Sequence, residues 1–242
     1  MKRLGILTIG RDYFVPYIEW LASKDGIKFE ISGYIDNEDP IYANNVDGYS
    51  DKRNNHTLEE LAADSDMILS LGYWRIISGE IIRSVPMGIL NLHHSYRLRY
   101  RGRHTATWAI MNEEIHHGTT LHYMSDKLDD GPILDSRMVM IEPDDTAGSL
   151  FERINRTGLE MLKDNLPIAL SKDRLAKVEF IEPLPDYKMY KKKDLVHEID
   201  HKLLASNPET FARNVRALTF PGMPKPYIVV DGTKIFMSAE HD

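Results

Sequence analysis

The sequence predicts an α/β fold: a doubly wound, mostly parallel sheet followed by a small C-terminal region of helix plus β-hairpin. Three observations carry this. Short apolar runs bounded by glycine, proline or polar residues alternate with helical patterns over the first two thirds of the 242 residues, as strands joined by crossover helices do. The stretch 170–188, with Pro183 and Pro185, interrupts that alternation and divides a domain at 1–180 from a region at 181–242. Asp231-Gly232 between alternating apolar residues is a strong hairpin signal.

In order along the chain, Leu4 to Ile9 reads as the first strand, followed by a helical pattern through Tyr13, Tyr17, Trp20 and Leu21. Gly10 stands at the turn between them, where glycine allows close ligand approach and helix amides face an anion; a plain tight turn explains it equally. Phe29 to Ile35 is the second strand, and 36–55 is a polar loop with Pro40 and Gly48. Thr57-Leu-Glu-Glu60 is a capping box that opens a short helix. Met67 to Leu71 forms the third strand and Gly88 to Leu92 the next, short enough to be buried strands. Arg103 to Glu114 has helical spacing at Thr107, Ile110 and Met111 and crosses to an apolar segment at Thr119 to Met124. Ile133 to Met140 is a further strand, and Asp144-Asp-Thr-Ala starts a long helix whose Leu150, Ile154, Met161 and Leu162 form a packing stripe. In the tail, Asn207-Pro-Glu begins a helix that ends near Leu218, and the hairpin spans Ile228 to Phe236.

Composition removes several classes of function. There is no cysteine, so disulfides, thiolate metal sites and thiol nucleophiles are out. With 30 Lys and Arg against 37 Asp and Glu, the net charge of -7 opposes broad nucleic-acid binding. The apolar start runs into Arg11-Asp12 and reads as a strand rather than a signal peptide. No apolar stretch approaches a membrane span, so a cytoplasmic location is expected. The sequons at Asn55 and Asn155 then carry no meaning. Lys188, Lys191, Lys192 and Lys193 read as a solvated face. Arg97, Arg99, Arg101 and Arg103 follow the Asn-His strand, so some can meet a substrate phosphate, while solvation accounts for most of them.

The pairs His93-His94 and His116-His117 suggest metal, but neighbours on a strand face opposite ways and no acidic ligand spacing accompanies them. No metal is expected, and His94 and His117 read as outward or locally hydrogen-bonded. His197-Glu-Ile-Asp-His201 matches the helical zinc-peptidase pattern. Its flanks are charged on every side and no third ligand follows, so it reads as a solvated helix face.

Chemistry concentrates between Gly88 and Asp135. Asn91 and His93 lie two apart, so a strand sends both to one side, and in an open parallel sheet ligands bind beyond the carboxyl ends of strands. The loop SDKLDDG (125–131) supplies carboxylates. A carboxylate orients an imidazole and stabilises its protonated form, while an asparagine amide donates to an oxyanion. Asn, His and Asp together suit acyl transfer to an amine.

Asn91-Leu-His93-x-Ser95, Arg101-Gly102, Trp108-Ala-Ile, Gly118-x-Thr120-Leu-His122 and Leu128-Asp129-x-Gly131 resemble, in order and spacing, the formyltransferases that use 10-formyltetrahydrofolate, with the sugar N-formyltransferases nearest. The resemblance covers roughly two thirds of the chain, and several motifs in one order are more specific than one. It implies a Rossmann-like fold, 10-formyltetrahydrofolate as formyl donor, and Asn91, His93 and Asp129 as the catalytic trio. It further implies Trp74, Arg75, Ile76, Ile77, Asp126 and Leu128 beside the folate. Gly10, Arg101, His104, Phe220 and Tyr227 are the candidates for substrate contact; capping accounts equally for His104, and hairpin or core packing for the two aromatics. His122 is a residue supporting the trio or a core histidine. The family's Ser-x-Leu-Pro is here Ser95-Tyr-Arg-Leu98. The implied reaction formylates a nucleotide-linked amino sugar, dTDP-4-amino-4,6-dideoxyglucose first, for surface polysaccharide (O-antigen) synthesis, in a homodimer. GDP-perosamine and dTDP-3-amino sugars are close competitors. Methionyl-tRNA is disfavoured by the acidic balance and short tail, glycinamide ribonucleotide by the tail's presence. A non-catalytic folate or nucleotide binder is the remaining class.

Overall fold

Leu4 to Thr8 are buried without interruption in β1 (Lys2–Thr8), as expected of a strand covered on both faces. The computed structural model describes residues 1–8, 11–23, 28–36 and 57–239; Gly10, the 36–55 loop beyond Asp36 and Asn55 lie outside them. Parallel pairing joins β1 to β2 (Phe29–Asp36) and to β3 (Met67–Leu71), and β3 to β4 (Ile89–His93). The sheet then turns antiparallel: β4 pairs with β6 (His116–Tyr123) and β6 with β7 (Ile133–Met140), for an order β2-β1-β3-β4-β6-β7.

Helices cover both faces, as doubly wound patterning predicts. On one side α1 (Arg11–Ala22) and α5 (Ala147–Ala169) pack Phe14, Ile18, Leu21, Met161, Leu162 and Leu166 against Leu4, Ile6, Leu69, Leu90, Leu92 and Leu121. On the other, α2 (Leu58–Asp64) and α3 (Gly79–Ser84) cover Leu7, Ile68 and Ile89. Thr57 caps α2 in a reciprocal box with Glu60, and Thr146 caps α5 with Ser149. Each box satisfies two end amides that otherwise lack partners.

Between β4 and β6 the chain forms β5 (Tyr100–Gly102) and α4 (Thr105–Met111). Instead of crossing over the sheet, α4 packs Ala106 and Ile110 against Leu150, Ile154 and Ala217 of α5 and α8 (Pro208–Leu218). The chain therefore re-enters the sheet running backwards, and the loop after β6 starts beside Ile89, at the amino end of β4. Sequence periodicity reads a helix between two strands as a crossover; the direction of re-entry depends on what that helix packs against.

The tail begins by clamping the main domain. Ile181 bridges Ile133, and β8 (Lys188–Tyr190) pairs in parallel with β5. After α6 (Lys172–Leu175) and α7 (Leu203–Ser206), β9 (Tyr227–Val230) and β10 (Thr233–Phe236) form the hairpin, with positive φ at both Asp231 and Gly232, the geometry a two-residue turn requires. The segment His197–His201 is not helical. Tyr227 N–H donates to the His197 carbonyl and Ile199 N–H to the Tyr227 carbonyl, at 2.9 and 2.8 Å, so this stretch lies extended beside β9. A zinc helix is thereby excluded on geometry, as is the solvated helix. Among the described residues no cluster of His, Asp and Glu could hold a metal, and no helix is long and apolar enough to cross a membrane.

Candidate active site

On β4, the two-residue period places Ile89, Asn91 and His93 in one row. Ile89 lies in the α2–α3 core, whereas Asn91 and His93 continue the row toward the strand's carboxyl end. Register sets His122 of β6 opposite Asn91.

The protons follow from the partners. His93 Nε2 lies 2.7 Å from the Tyr100 carbonyl oxygen. A carbonyl only accepts, so Nε2 carries the hydrogen and, in the neutral ring, Nδ1 holds the lone pair. Nδ1 faces the Asp129 Oδ1 at 3.7 Å, while Asp129 Oδ2 accepts from the Gly102 N–H at 2.7 Å. The same logic fixes Asn91. His122 Nδ1 donates to the Tyr123 carbonyl at 3.2 Å, leaving Nε2 to accept from Asn91 Nδ2 at 3.1 Å. Burial, then the nearby His93 ring, pushes His122 down to about 4, so it stays neutral and keeps that acceptor. One amide hydrogen of Asn91 is thus tied down and the other is aimed. The site can accept a proton at His93 Nδ1, stabilise the imidazolium through Asp129 and donate to a developing oxyanion from Asn91.

The turn Ser95–Leu98, where the family pattern changes, supports this arrangement. Arg97 and Leu98 have φ of 47 and 55°, left-handed values that side chains resist. They are held by Arg97 N–H on Ser136 Oγ at 2.9 Å, by the Arg97 guanidinium on the Glu182 carbonyl at 2.8 Å, and by the burial of Leu98. Ser95 Oγ accepts from Tyr100 N–H at 2.7 Å, which aims the carbonyl that binds His93.

The remaining sequence candidates divide. Trp74 and Ile76 are exposed, Ile76 at 88%, with Arg75 and Arg103 5.8 and 5.5 Å from the indole centre. Leu128 is half exposed. Asp126 pairs with Arg83 at 2.8 Å and presses on Gly79, where a Cβ would collide with its carboxylate, so the 72–79 and 125–130 segments abut. Ile77 is instead in the α2–α3 core. Arg101 is 6% exposed, paired with Asp130 at 2.7 Å and lying 3.9 Å over the Tyr187 ring; its charge is matched inside the protein. His104 precedes α4 with φ of 58°. Phe220 packs edge-on to Phe151 at 5.1 Å in the α4–α5–α8 core. Tyr227 lies in the hairpin between Phe236 and Lys234. No described contact links Phe220 or Tyr227 to the trio.

His94 and His117, expected outward or hydrogen-bonded, turn inward. Only the outward alternative fails: His94 meets Phe151 edge-on and His117 meets Tyr100 edge-on, and each Nε2 lacks a hydrogen-bond partner among the described residues. Burial pushes both rings down to about 3, against a hydrogen bond of His94 with Asn155 and of His117 with the His94 backbone. The ring that covers His94 comes from α5, far along the chain, so nothing beside the histidine pair signals its burial. Of the site residues, Asp130 and the Tyr100 carbonyl escaped sequence reasoning, and Gly102 entered it only as part of a motif, with no role. The acidic pair Asp129-Asp130 and the pair Arg101-Gly102 were each visible; that one binds the other was not.

Comparison with known proteins places this geometry. The Formyl transferase family profile matches residues 30–166. The methionyl-tRNA formyltransferase of Listeria monocytogenes serotype 4a (strain HCC23) is 32% identical over 116 residues, 48% of this chain and 37% of that protein, so the chain spans little more than a third of such relatives. Among solved structures, a 4-N formyltransferase from Francisella tularensis superposes with a TM-score of 0.78 at 18% identity, over 98% of this chain and 96% of that one. The formyltransferase PseJ from Anoxybacillus kamchatkensis, solved with UDP-4,6-dideoxy-4-formamido-L-AltNAc and tetrahydrofolate, is 26% identical at a TM-score of 0.55, covering 78% of this chain and 87% of that one. With its profile matched over more than half its length and a proton acceptor, an amide donor and a carboxylate converging at the end of β4, the chain belongs to the formyl transferase family.

Proposed function

We propose that the protein transfers a formyl group from 10-formyltetrahydrofolate to the amine of a nucleotide-linked amino sugar, with dTDP-4-amino-4,6-dideoxyglucose as acceptor and surface polysaccharide as destination. The observation that carries the reading is the convergence of His93 Nδ1, Asp129 and the His122-tethered Asn91 on one row of the sheet. In this reading the abutting segments hold the donor: the exposed apolar surfaces of Trp74, Ile76 and Leu128 take its flat ring, and backbone groups of 125–130 bind the ring's polar edge. When bound, the donor supplies an activated acyl carbon. His93 Nδ1 takes the proton that the acceptor amine loses, Asp129 balances the charge so gained, and the Asn91 N–H meets the acyl oxygen as it becomes negative; as the bond between the formyl carbon and the donor nitrogen breaks, His93 returns its proton to that nitrogen, which leaves as tetrahydrofolate. No side-chain nucleophile is required, because a free amine attacks directly.

PseJ, solved in complex with a UDP-linked 4-formamido sugar, supports a nucleotide sugar aminated at carbon 4. Exposed Val230, Ile235 and Phe236 on the hairpin support a homodimer paired there. The test is to incubate the protein with 10-formyltetrahydrofolate and dTDP-, GDP- or UDP-linked 4-amino or 3-amino sugars, or with methionyl-tRNA, and follow product mass. Gain of one formyl group on a dTDP-linked 4-amino sugar is expected. Reaction with tRNA alone would end the sugar assignment, and light scattering of a monomer would end the dimer.

A further inference from the structure

Asp129 faces His93 from an awkward conformation. Its φ of 44° is one that a side-chain-bearing residue leaves when released. The fold restrains it through two consecutive residues of β5 acting on two consecutive carboxylates. Gly102 N–H binds Asp129 and Arg101 Nη2 binds Asp130, each at 2.7 Å. Arg101 is restrained, because it is buried and its guanidinium carbon lies 3.9 Å from the centre of the Tyr187 ring. Tyr187 is delivered from the tail: Leu184 N–H donates to the Arg97 carbonyl, Lys188 N–H to that of Arg99, and Arg103 N–H to that of Tyr190, at 3.0, 2.6 and 3.0 Å.

We infer that Arg101, backed by Tyr187, is a positioning residue of the formyl-transfer site: by pinning Asp130 it keeps the Asp129 carboxylate opposite His93 Nδ1. This rests on the trio assigned above, and it reassigns Arg101 from a substrate phosphate to the loop. The tail segment 181–190 thereby belongs to the working parts of the main domain. Arg97 and Arg99, engaged with Glu182, Glu114 and Asp186, fasten the same junction.

The experiment uses the full chain and the variants Arg101→Met, Tyr187→Ala and Tyr187→Phe. Amide exchange at Gly102, read by NMR without ligand, should accelerate about 10-fold or more in Arg101→Met and Tyr187→Ala, since the carboxylate that protects it departs. Arg103 N–H, bound to the Tyr190 carbonyl, should keep its protection and report that β5 and β8 remain paired. Tyr187→Phe keeps the ring and should behave as wild type. In turnover, Arg101→Met should lose about 10- to 100-fold in kcat with KM within about twofold, a misplacement effect. In an Asp129→Asn background it should cost nothing further, because residues acting as a unit are non-additive. Unchanged Gly102 exchange in Arg101→Met and Tyr187→Ala, or a full additional loss in the Asp129→Asn background, would overturn the role. Should Arg101→Met fail to fold, the Tyr187 pair decides, since that ring is at the surface. A wild-type protein that formylates no amine would refute the functional reading instead, and the exchange result would still judge Arg101.

Discussion

Replacing His122 with leucine tests how the oxyanion donor is aimed. The ring is fully buried and its Nε2 is the acceptor for Asn91 Nδ2 at 3.1 Å. Leucine fills nearly the same volume but accepts nothing, so the Asn91 amide loses both its partner and its preferred sense of rotation. An intramolecular hydrogen bond contributes about 0.5–1.5 kcal/mol net, which as an orientational preference corresponds to roughly 2- to 13-fold in kcat. The orphaned amide costs about 1–3 kcal/mol of stability, or several degrees in Tm for a chain of this size, at about 2–4 °C per kcal/mol. The assay is formyl transfer to the best acceptor, beside thermal unfolding of the same preparations. His122→Gln, whose carbonyl can replace the lost acceptor, should recover part of the turnover. The decisive comparison is the double variant with Asn91→Ala, in which His122→Leu should add no further loss of kcat. Multiplicative losses, or a drop in Tm with wild-type turnover, would show that His122 is only a core residue.

Asn91→Ala should itself lower kcat by about 100-fold or more, the usual cost of one oxyanion donor, and turnover near wild type would remove Asn91 from the mechanism. Acid should weaken the fold through histidine. His94, His117 and His122 are held by burial at about 3, 3 and 4 against an ordinary 6.5. The unfolded chain therefore takes up protons first. Their contribution is complete above about pH 6.5 and is lost as pH falls toward 4, at about 1.4 kcal/mol per pH unit for each fully titrating group; urea midpoints that stay level from pH 7 to 5 would contradict this. At Gly102, with φ of 90°, a Cβ would collide with the Tyr190 carbonyl oxygen. Gly102→Ala should thus part β5 from β8 and cut turnover by about 100-fold, visible as exchange of the Arg103 amide; intact protection there would refute it. Asp145, buried and bonded to Arg153 at 2.6 Å through both carboxylate oxygens, stands apart from the trio. Asp145→Ala should destabilise by about 3 kcal/mol with turnover preserved at a permissive temperature, and a loss of kcat there would mean the fold transmits strain to the site.

What the sequence disclosed depends on the range of the interaction. Met67–Leu71 and Ile133–Met140 were bounded to the residue, because burial on a sheet writes an apolar run directly into the chain. The Thr57 cap and the hairpin turn were equally plain, since each is a local bond or a local φ. Asn91 and His93 were legible as a pair through their spacing. Asp129 came only through the resemblance and His122 only as a supporting or core histidine; that His122 meets Asn91 is set by antiparallel register, and the direction of β6 goes with the packing of α4 on α5 and α8. The alternating arginines were read chiefly as a solvated set, yet Arg99 and Arg101 are ion-paired at 28% and 7% side-chain exposure. Nothing near them in sequence announces Asp130 or Asp186. Phe220 gave the opposite lesson, an aromatic whose place in a ligand-like pattern is outweighed by its fit against Phe151.

The pairing of β5 with β8 also orders events on the ribosome. All six strands of the large sheet have been synthesised by Met140, so a nascent chain can close its core before the tail is made. The carbonyl that sets the His93 tautomer belongs to a three-residue strand whose neighbour, Lys188–Tyr190, is made well after the sheet is complete. Domains fold as they emerge, N-terminal parts first. A product terminated before that point would lack the strand that pairs with β5, and with it the backbone partner of the segment that holds the His93 ring.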